Sequence, residues 1–154
     1  MKPRDLPIAL TALLLSSIVD AAECEISLPK GQDLPEWSSE ASEGFVWVGS
    51  PKLAAKVPHT GHWIGMGPDR NYFDKWWWWR DDYRATEEPT PDLTVTATKL
   101  DASMPPIVIE NATSAVGPGW NAMLVGMEFP APGCWEVVGS YEDQELRFIF
   151  EVGR

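Results

Sequence analysis

Short runs of alternating apolar and polar residues dominate the second half of the chain. Residues 93–100, 122–129, 135–141 and 146–152 repeat their apolar side chains with a period of two. Successive side chains of a β-strand point to opposite faces, so this period predicts strands that bury one face. Fourteen prolines and twelve glycines interrupt the runs. Frequent turns between short strands are typical of an all-β sandwich or barrel.

The alternation also predicts which side chains form the core. In the last run, Glu145, Arg147 and Glu151 occupy the opposite, solvent-facing side. The last two runs are joined through Glu142 and Asp143, a connection of hairpin length. The predicted core positions are Leu93, Val95, Ala97, Met123, Val125, Met127, Phe129, Trp135, Val137, Tyr141, Leu146, Phe148, Phe150 and Val152.

The first half of the chain has a weaker pattern. Residues 24–28 are interpreted as a first strand and residues 44–49 (GFVWVG) as a buried strand. The polar stretch 29–43 is predicted to be a loop. Residues 81–91, rich in charge and proline, are interpreted as a connector.

A hairpin is predicted between residues 53–57 and residues 62–66. Its turn holds the two histidines of the chain, His59 and His62. Two imidazoles three residues apart can share a metal ion, but Gly61 lies between them and no regular face brings them together. The sequence therefore predicts a solvent-exposed turn and no metal site.

The N-terminus has the pattern of a secretory signal peptide. Lys2 and Arg4 precede the apolar residues 8–19, and Val19-Asp20-Ala21 resembles a cleavage site. The apolar stretch is too short for a membrane-spanning helix, which needs about 20 residues. We therefore expect cleavage after Ala21 (signal peptide 1–21), a single domain over residues 22–154 that does not span a membrane, and a secreted, periplasmic or cell-surface location.

Cys24 and Cys134 are the two cysteines of the chain. In an oxidising compartment an even pair most simply forms one disulfide, and no other metal ligands cluster with them. The formal net charge is −11 at pH 7. Such a chain repels phosphate backbones, which argues against a nucleic-acid partner.

Four consecutive tryptophans, Trp76 to Trp79, are the most unusual feature of the sequence. In a strand, two of the indoles face one side and two the other. If Trp76 and Trp78 fill the core, Trp77 and Trp79 remain near the surface, where indoles stack on sugar rings, insert at a membrane interface or anchor a protein partner. Alternatively, all four indoles pack internally, with the outer pair covered by the connector. The candidate binding residues are Trp77, Trp79, Arg80 and Tyr83.

The sequence contains no motif that specifies a catalytic group or a cofactor. It has no P-loop, dinucleotide fingerprint, nucleophile elbow or zinc-protease helix. Asp69, Asp74, Asp81 and Asp82 flank the tryptophans, and paired carboxylates beside indoles are found in sugar-processing enzymes. They also serve simply to keep an aromatic strand soluble. We predict no catalytic residue and no cofactor.

Residues 129–152 (FPAPGCWEVVGSYEDQELRFIFEV) resemble the last two strands of bacterial immunoglobulin-like domains. Over residues 44–152 the chain resembles a group of uncharacterised secreted bacterial proteins. The shared features are a Trp-rich segment ending in arginine (75–80), a strand ending in Leu-Asp, a following Pro-Pro pair, and a Gly-Cys-Trp-Glu strand (133–136). The resemblance implies export and an immunoglobulin-like antiparallel β-sandwich of about seven to nine strands. It implies no activity, and Cys24 lies outside the strands that the antibody disulfide joins.

These observations together predict a non-enzymatic extracytoplasmic binding or structural module. Its partner would be a cell-envelope glycan or a protein. Two alternatives remain: a secreted inhibitor of a protease or another hydrolase, and a small carbohydrate-active enzyme. Sandwich domains host all three roles, so the fold alone does not choose between them.

Overall fold

A computed structural model describes residues 23–36, 38, 44–65 and 72–153. The predicted signal peptide and its cleavage site lie outside these residues, as do Trp37 and Asp69. The described residues hold no helix that is long and apolar enough to cross a membrane. Their strands are β1 (Phe45–Ser50), β2 (Leu53–Pro58), β3 (His62–Trp63), β4 (Phe73–Trp79), β5 (Thr94–Lys99), β6 (Ile107–Ile109), β7 (Thr113–Gly117), β8 (Trp120–Glu128), β9 (Gly133–Tyr141) and β10 (Gln144–Val152).

The strands form two five-stranded sheets that pack face to face. Sheet I has the order β1-β2-β4-β8-β7, and sheet II has the order β3-β10-β9-β5-β6. Neighbouring strands are antiparallel except for the parallel pair of β3 and β10. The all-β prediction is therefore confirmed. The described residues form ten strands, more than the predicted seven to nine, because strands as short as β3 and β6 are too brief to show alternation.

The core between the sheets consists of the positions that alternation predicts. All fourteen predicted core residues are buried. One charged residue on the opposite face departs from its prediction. Glu151 is buried rather than solvent-exposed, and its carboxylate lies 2.9 Å from Nδ1 of His62. The reason is that β3 pairs beside Glu151 and covers this part of β10.

Two of the four consecutive tryptophans face sheet II. The indole of Trp76 stacks on Phe148 with centroids 5.9 Å apart and lies 5.0 Å from the ring of Phe150. Trp78 is fully buried and packs on Phe148 at 6.1 Å. Burying about 200 Å² of an aromatic side chain stabilises a fold by about 5 kcal/mol. These rings therefore supply much of the contact energy between the sheets.

The Trp78 indole lies directly against the backbone of Gly139 on β9. A Cβ atom on Gly139 would overlap the six-membered ring of the indole. A glycine at this position therefore creates the space that the indole fills. Protein interiors are packed as densely as organic crystals, so this space cannot be shared with a methyl group.

The predicted hairpin between residues 53–57 and 62–66 is wrong. β2 forms its hairpin with β1 through Pro51 and Lys52, with Ser50 opposite Leu53. The expected turn does form, since the Gly61 amide donates to the carbonyl of Pro58 at 2.9 Å. It carries the chain from sheet I to sheet II. Sequence cannot foresee this, because a turn does not specify which sheet receives the next strand.

Cys24 and Cys134 form the predicted disulfide, with Cα atoms 5.3 Å apart and a sequence separation of 110. The expected strand at 24–28 is reduced to a single bridge between Ser27 and Ile149. Both amides of that bridge donate to the opposite carbonyl, at 2.9 and 3.0 Å. The disulfide and the bridge together hold the N-terminal segment on sheet II.

Gly139→Ala should destabilise the protein by about 1–3 kcal/mol, the usual cost of overpacking a core. The measurement is the free energy of unfolding in urea. Gly126→Ala is the matched control, because a Cβ there makes only ordinary contact with Phe73. In a Trp78→Phe background, Gly139→Ala should lower the free energy of unfolding by less, because the smaller ring leaves room for the Cβ atom. Equal costs in both backgrounds would show that the indole does not create the constraint.

Cys24→Ser/Cys134→Ser should lower the free energy of unfolding by about 2–5 kcal/mol, because the bridge closes a long loop in the unfolded chain. Thermal unfolding with and without reductant measures the effect. Reductant should shift the midpoint of the native protein and leave the variant unchanged. Identical midpoints for the oxidised protein and the variant would contradict a stabilising role for the bridge.

Candidate functional site

The four candidate binding residues lie at the end of β4 and in the turn that follows it, but the structure gives them different roles. Trp77 and Trp79 are on the outer face of sheet I, as alternation predicts. Arg80 and Tyr83 follow the strand. Burial and existing contacts decide whether each of these side chains remains available to a ligand.

Trp79 is covered by the chain itself. It retains 7% of its exposed surface and packs with Trp47 and Ala54 in a small cluster on the outer face of sheet I. Leu34 packs against this cluster. The segment that carries Leu34 is held in place by the Gln32 amide, which donates to the carbonyl of Gly49 at 2.9 Å. Trp79 is therefore a packing residue and offers no surface for stacking.

Arg80 is already paired. Its Nε lies 2.5 Å and its Nη2 3.0 Å from the two carboxylate oxygens of Asp82, and its Nη1 lies 2.6 Å from Glu142 in the β9–β10 turn. The guanidinium also lies over the Tyr141 ring, 5.5 Å from its centroid. Hydrogen bonding from Arg80 lowers the pKa of Asp82. Arg80 thus ties the end of β4 to sheet II.

Tyr83 lies in the core, with 3% of its surface exposed. Its hydroxyl donates to the backbone carbonyl of Glu88 at 2.9 Å, and its ring meets Tyr141 edge to face. The hydroxyl of Tyr141 hydrogen-bonds the Glu88 carboxylate. Burial raises the pKa of Tyr83. The connector around residues 81–91 is thus a packed part of the fold. Tyr83 is mostly buried within it, and a small part of this residue lines a pocket of about 390 Å³ together with Trp79 and Arg80.

Trp77 is the candidate residue that keeps an accessible surface. It is half-buried, and its indole meets Trp120 edge to face with centroids 5.5 Å apart. Trp120 follows the Pro118-Gly119 turn between β7 and β8, where Gly119 has a φ of 79°. Proline and glycine in this order are typical of a type II turn. The turn therefore holds Trp120 in edge-to-face contact with Trp77.

A cleft opens beside Trp77 where β2 and β4 separate. The two strands pair only at Ala54–Trp79 and Ala55–Trp78, whereas β4 continues to pair with β8 as far as Phe73. The resulting space has a volume of about 230 Å³. Its lining comprises Phe45, Lys56, Pro58, Trp63, Asp74, Lys75, Trp76 and Trp77.

The cleft combines an aromatic floor with charged walls. Trp63 and Trp76 form the floor and meet edge to face at 6.3 Å. On the β2 side, the ammonium of Lys56 lies 5.5 Å from the centroid of the Phe45 ring. Partial burial lowers the pKa of Lys56, and the nearby Asp74 carboxylate opposes this shift. The arrangement suits a ligand that has one flat apolar face and polar or charged edges.

Sequence reasoning did not identify most of this cleft. Asp74 was considered only as one of the carboxylates that flank the tryptophans, and Lys56 and Phe45 carried no signal. Their proximity depends on the separation of β2 from β4, which no local pattern reports. In the sequence, Lys75 is visible only as the first residue of the Trp-rich segment 75–80, with no sign that it lines a cleft.

The described residues show no paired carboxylates in the cleft and no cluster of three metal-ligating side chains. Both histidines are exposed, as predicted. Nδ1 of His59 lies 3.0 Å from the carbonyl of Gly44, and His62 pairs with Glu151. Asp81 and Asp82 lie on the other side of the Trp segment, beside Arg80 and Arg84. Of the four aspartates that flank the tryptophans, the three that the structure describes, Asp74, Asp81 and Asp82, are therefore not gathered at one place.

Comparison of the chain with protein-family models, with curated proteins and with solved structures gives no match in any of the three.

Arg80→Gln should destabilise the protein at pH 7, and the difference from the native protein should narrow in acid. A carboxyl group with a depressed pKa stabilises the fold above its ordinary pKa, about 3.9 for Asp, and this contribution disappears as the pH falls further. Because the carboxylates of Asp82 and Glu142 are solvent-exposed, Arg80→Gln should lower the free energy of unfolding at pH 7 by at most about 1 kcal/mol.

The measurement is urea unfolding at pH 7 and pH 3. Arg84→Gln is the matched control, because Arg84 donates to the backbone carbonyls of Asp81 and Tyr83. Its effect should depend less on pH. If the difference in the free energy of unfolding between Arg80→Gln and the native protein is the same at pH 3 and pH 7, the Asp82 carboxylate is not the cause of the destabilisation.

Proposed function

We propose that this chain is a non-enzymatic extracytoplasmic binding module that holds a sugar ring of a cell-envelope glycan against Trp77, in the cleft between β2 and β4. The observation that carries the proposal is the position of Trp77. Its indole is half-buried, in edge-to-face contact with Trp120, and forms a wall of a cleft of about 230 Å³.

A supported indole at a cleft wall suits carbohydrate recognition. An aromatic ring offers a flat apolar surface, and its rigid side chain loses little conformational freedom on binding. Sugars present C–H faces to such rings and hydroxyl groups to polar neighbours. Lys56, Asp74 and Lys75 are the polar neighbours that line this cleft.

The lining of the cleft favours binding over catalysis. Hydrolysis of a glycosidic bond usually requires two carboxyl groups, one on each side of the bond. Asp74 is the one carboxylate in the described lining, and it acts on Lys56 electrostatically. A single carboxylate beside an ammonium is suited to hydrogen bonding with hydroxyl groups.

The extracytoplasmic location is proposed on two grounds. Residues 1–21 have the pattern of a signal peptide. The Cys24–Cys134 disulfide is the kind of bond that persists in oxidising compartments. We also propose that the sandwich is immunoglobulin-like, which is supported by its two antiparallel-rich sheets and by the Pro-Gly turn that leads into β9. This proposal concerns architecture and lends no site residue.

Trp77→Ala should strongly weaken the binding of soluble cell-envelope glycans. Truncating a central aromatic anchor typically costs about 2 kcal/mol, or roughly thirtyfold in Kd. The measurement is intrinsic tryptophan fluorescence of the oxidised protein, titrated with peptidoglycan fragments and a panel of glycans, with isothermal calorimetry as a second readout.

Phe73→Ala is the matched control, because Phe73 is an exposed aromatic residue on the same strand that does not line the cleft. It should bind as the native protein does. Thermal unfolding of Trp77→Ala must show a folded protein. Two outcomes would overturn the proposal. One is a titration of the native protein that shows no change with any glycan. The other is a folded Trp77→Ala variant that binds a glycan with the same Kd as the native protein.

A further inference from the structure

Among the described residues, the cleft presents two lysines that have no carboxylate within ion-pair distance, on a strongly acidic protein. The chain carries a formal net charge of −11. Among the described lysines and arginines, three pair with carboxylates: Arg80 with Asp82 and Glu142, Lys99 with Asp101, and Arg147 with Glu136 and Glu145.

Lys56 and Lys75 differ from these paired residues. Across the described parts of the chain, neither has a carboxylate within ion-pair distance. Lys52 is also unpaired, but it is exposed at the β1–β2 turn, whereas Lys56 is partly buried in the cleft wall. A partly desolvated ammonium without a partner has lost hydration that an anionic ligand can replace.

The walls of the cleft carry two ammonium groups against one carboxylate, Asp74. The described lining therefore has a net positive charge in an otherwise acidic protein. Lys56 approaches from β2 and Lys75 from β4, so the two charges stand on opposite strands around the gap. An anionic group on a ring that is stacked on Trp77 can reach either side.

Resting on the proposed function, we infer that the ligand is an acidic glycan whose carboxylates are held by Lys56 and Lys75 while a sugar ring stacks on Trp77. A uronic-acid residue offers both parts: a C–H face and one carboxylate on the same ring. Polymers of higher charge density, such as nucleic acids, are opposed by the overall acidity of the protein.

The test uses pairs of probes that differ only in charge. Oligogalacturonate, oligomannuronate and hyaluronan fragments are each compared with their carboxyl-reduced counterparts, which keep the ring stereochemistry and the linkages. The native disulfide-bonded protein should bind at least one acidic member about tenfold more tightly than its neutral counterpart, as expected for a charge-assisted hydrogen bond. This preference should weaken as salt is added.

The Lys56→Met/Lys75→Met variant keeps the apolar length of both side chains and removes their charges. It should lose the preference for the acidic probe and bind the acidic and the neutral probe with equal affinity. Lys52→Met is the matched control and should keep the full preference. Lys56→Gln/Lys75→Gln provides a second pair of substitutions if the methionine variant fails to fold.

The outcomes separate this inference from the function on which it rests. The native protein could bind the acidic and the neutral probe with equal affinity, and Trp77→Ala could weaken the binding of both probes. This result overturns the acidic-ligand inference and is consistent with the glycan-binding function. A charge preference that survives in the folded double-lysine variant also overturns the inference. Absence of binding to every probe, acidic or neutral, overturns both.

Discussion

The fit of the Trp78 indole against the bare backbone of Gly139 is the constraint on which the rest of the sandwich depends. The indole belongs to sheet I and the glycine to sheet II, so their contact sets the spacing and the register of the two sheets together. A shift of β4 by one residue would reverse every side chain on it and bring Trp77 or Trp79 to the inner face. Only one register places Trp78 opposite Gly139.

This register also decides the fate of the outer pair of tryptophans. Because Trp76 and Trp78 face inward, Trp77 and Trp79 must face outward. The chain covers Trp79 with Leu34, whereas Trp77 is supported by Trp120 and keeps an accessible face. The core-packing interpretation therefore holds for Trp76, Trp78 and Trp79, whereas a binding surface at Trp77 is a proposal.

The sequence predicts those parts of the structure that depend on local alternation. The core faces of the last four runs and the division of the Trp run into two pairs on opposite faces follow from a period of two, whereas the structure shows which pair faces inward. The burial of Tyr83, a candidate binding residue, does not follow from the sequence, because an isolated tyrosine in a polar stretch has no periodicity to indicate it. Lys56 was missed because its burial depends on β2 separating from β4, which is a non-local event.

The cleft is a consequence of the topology. β2 leaves β4 because the chain must cross to sheet II, where β3 pairs in parallel with β10. Pro58, at the end of β2, has no amide to donate and so cannot extend a ladder toward β4. The proposed site therefore lies where β2 stops pairing with β4 in sheet I and the chain passes to sheet II. Changes in the turn after Pro58 can alter the width of the cleft without touching the Trp78 contact that holds the fold.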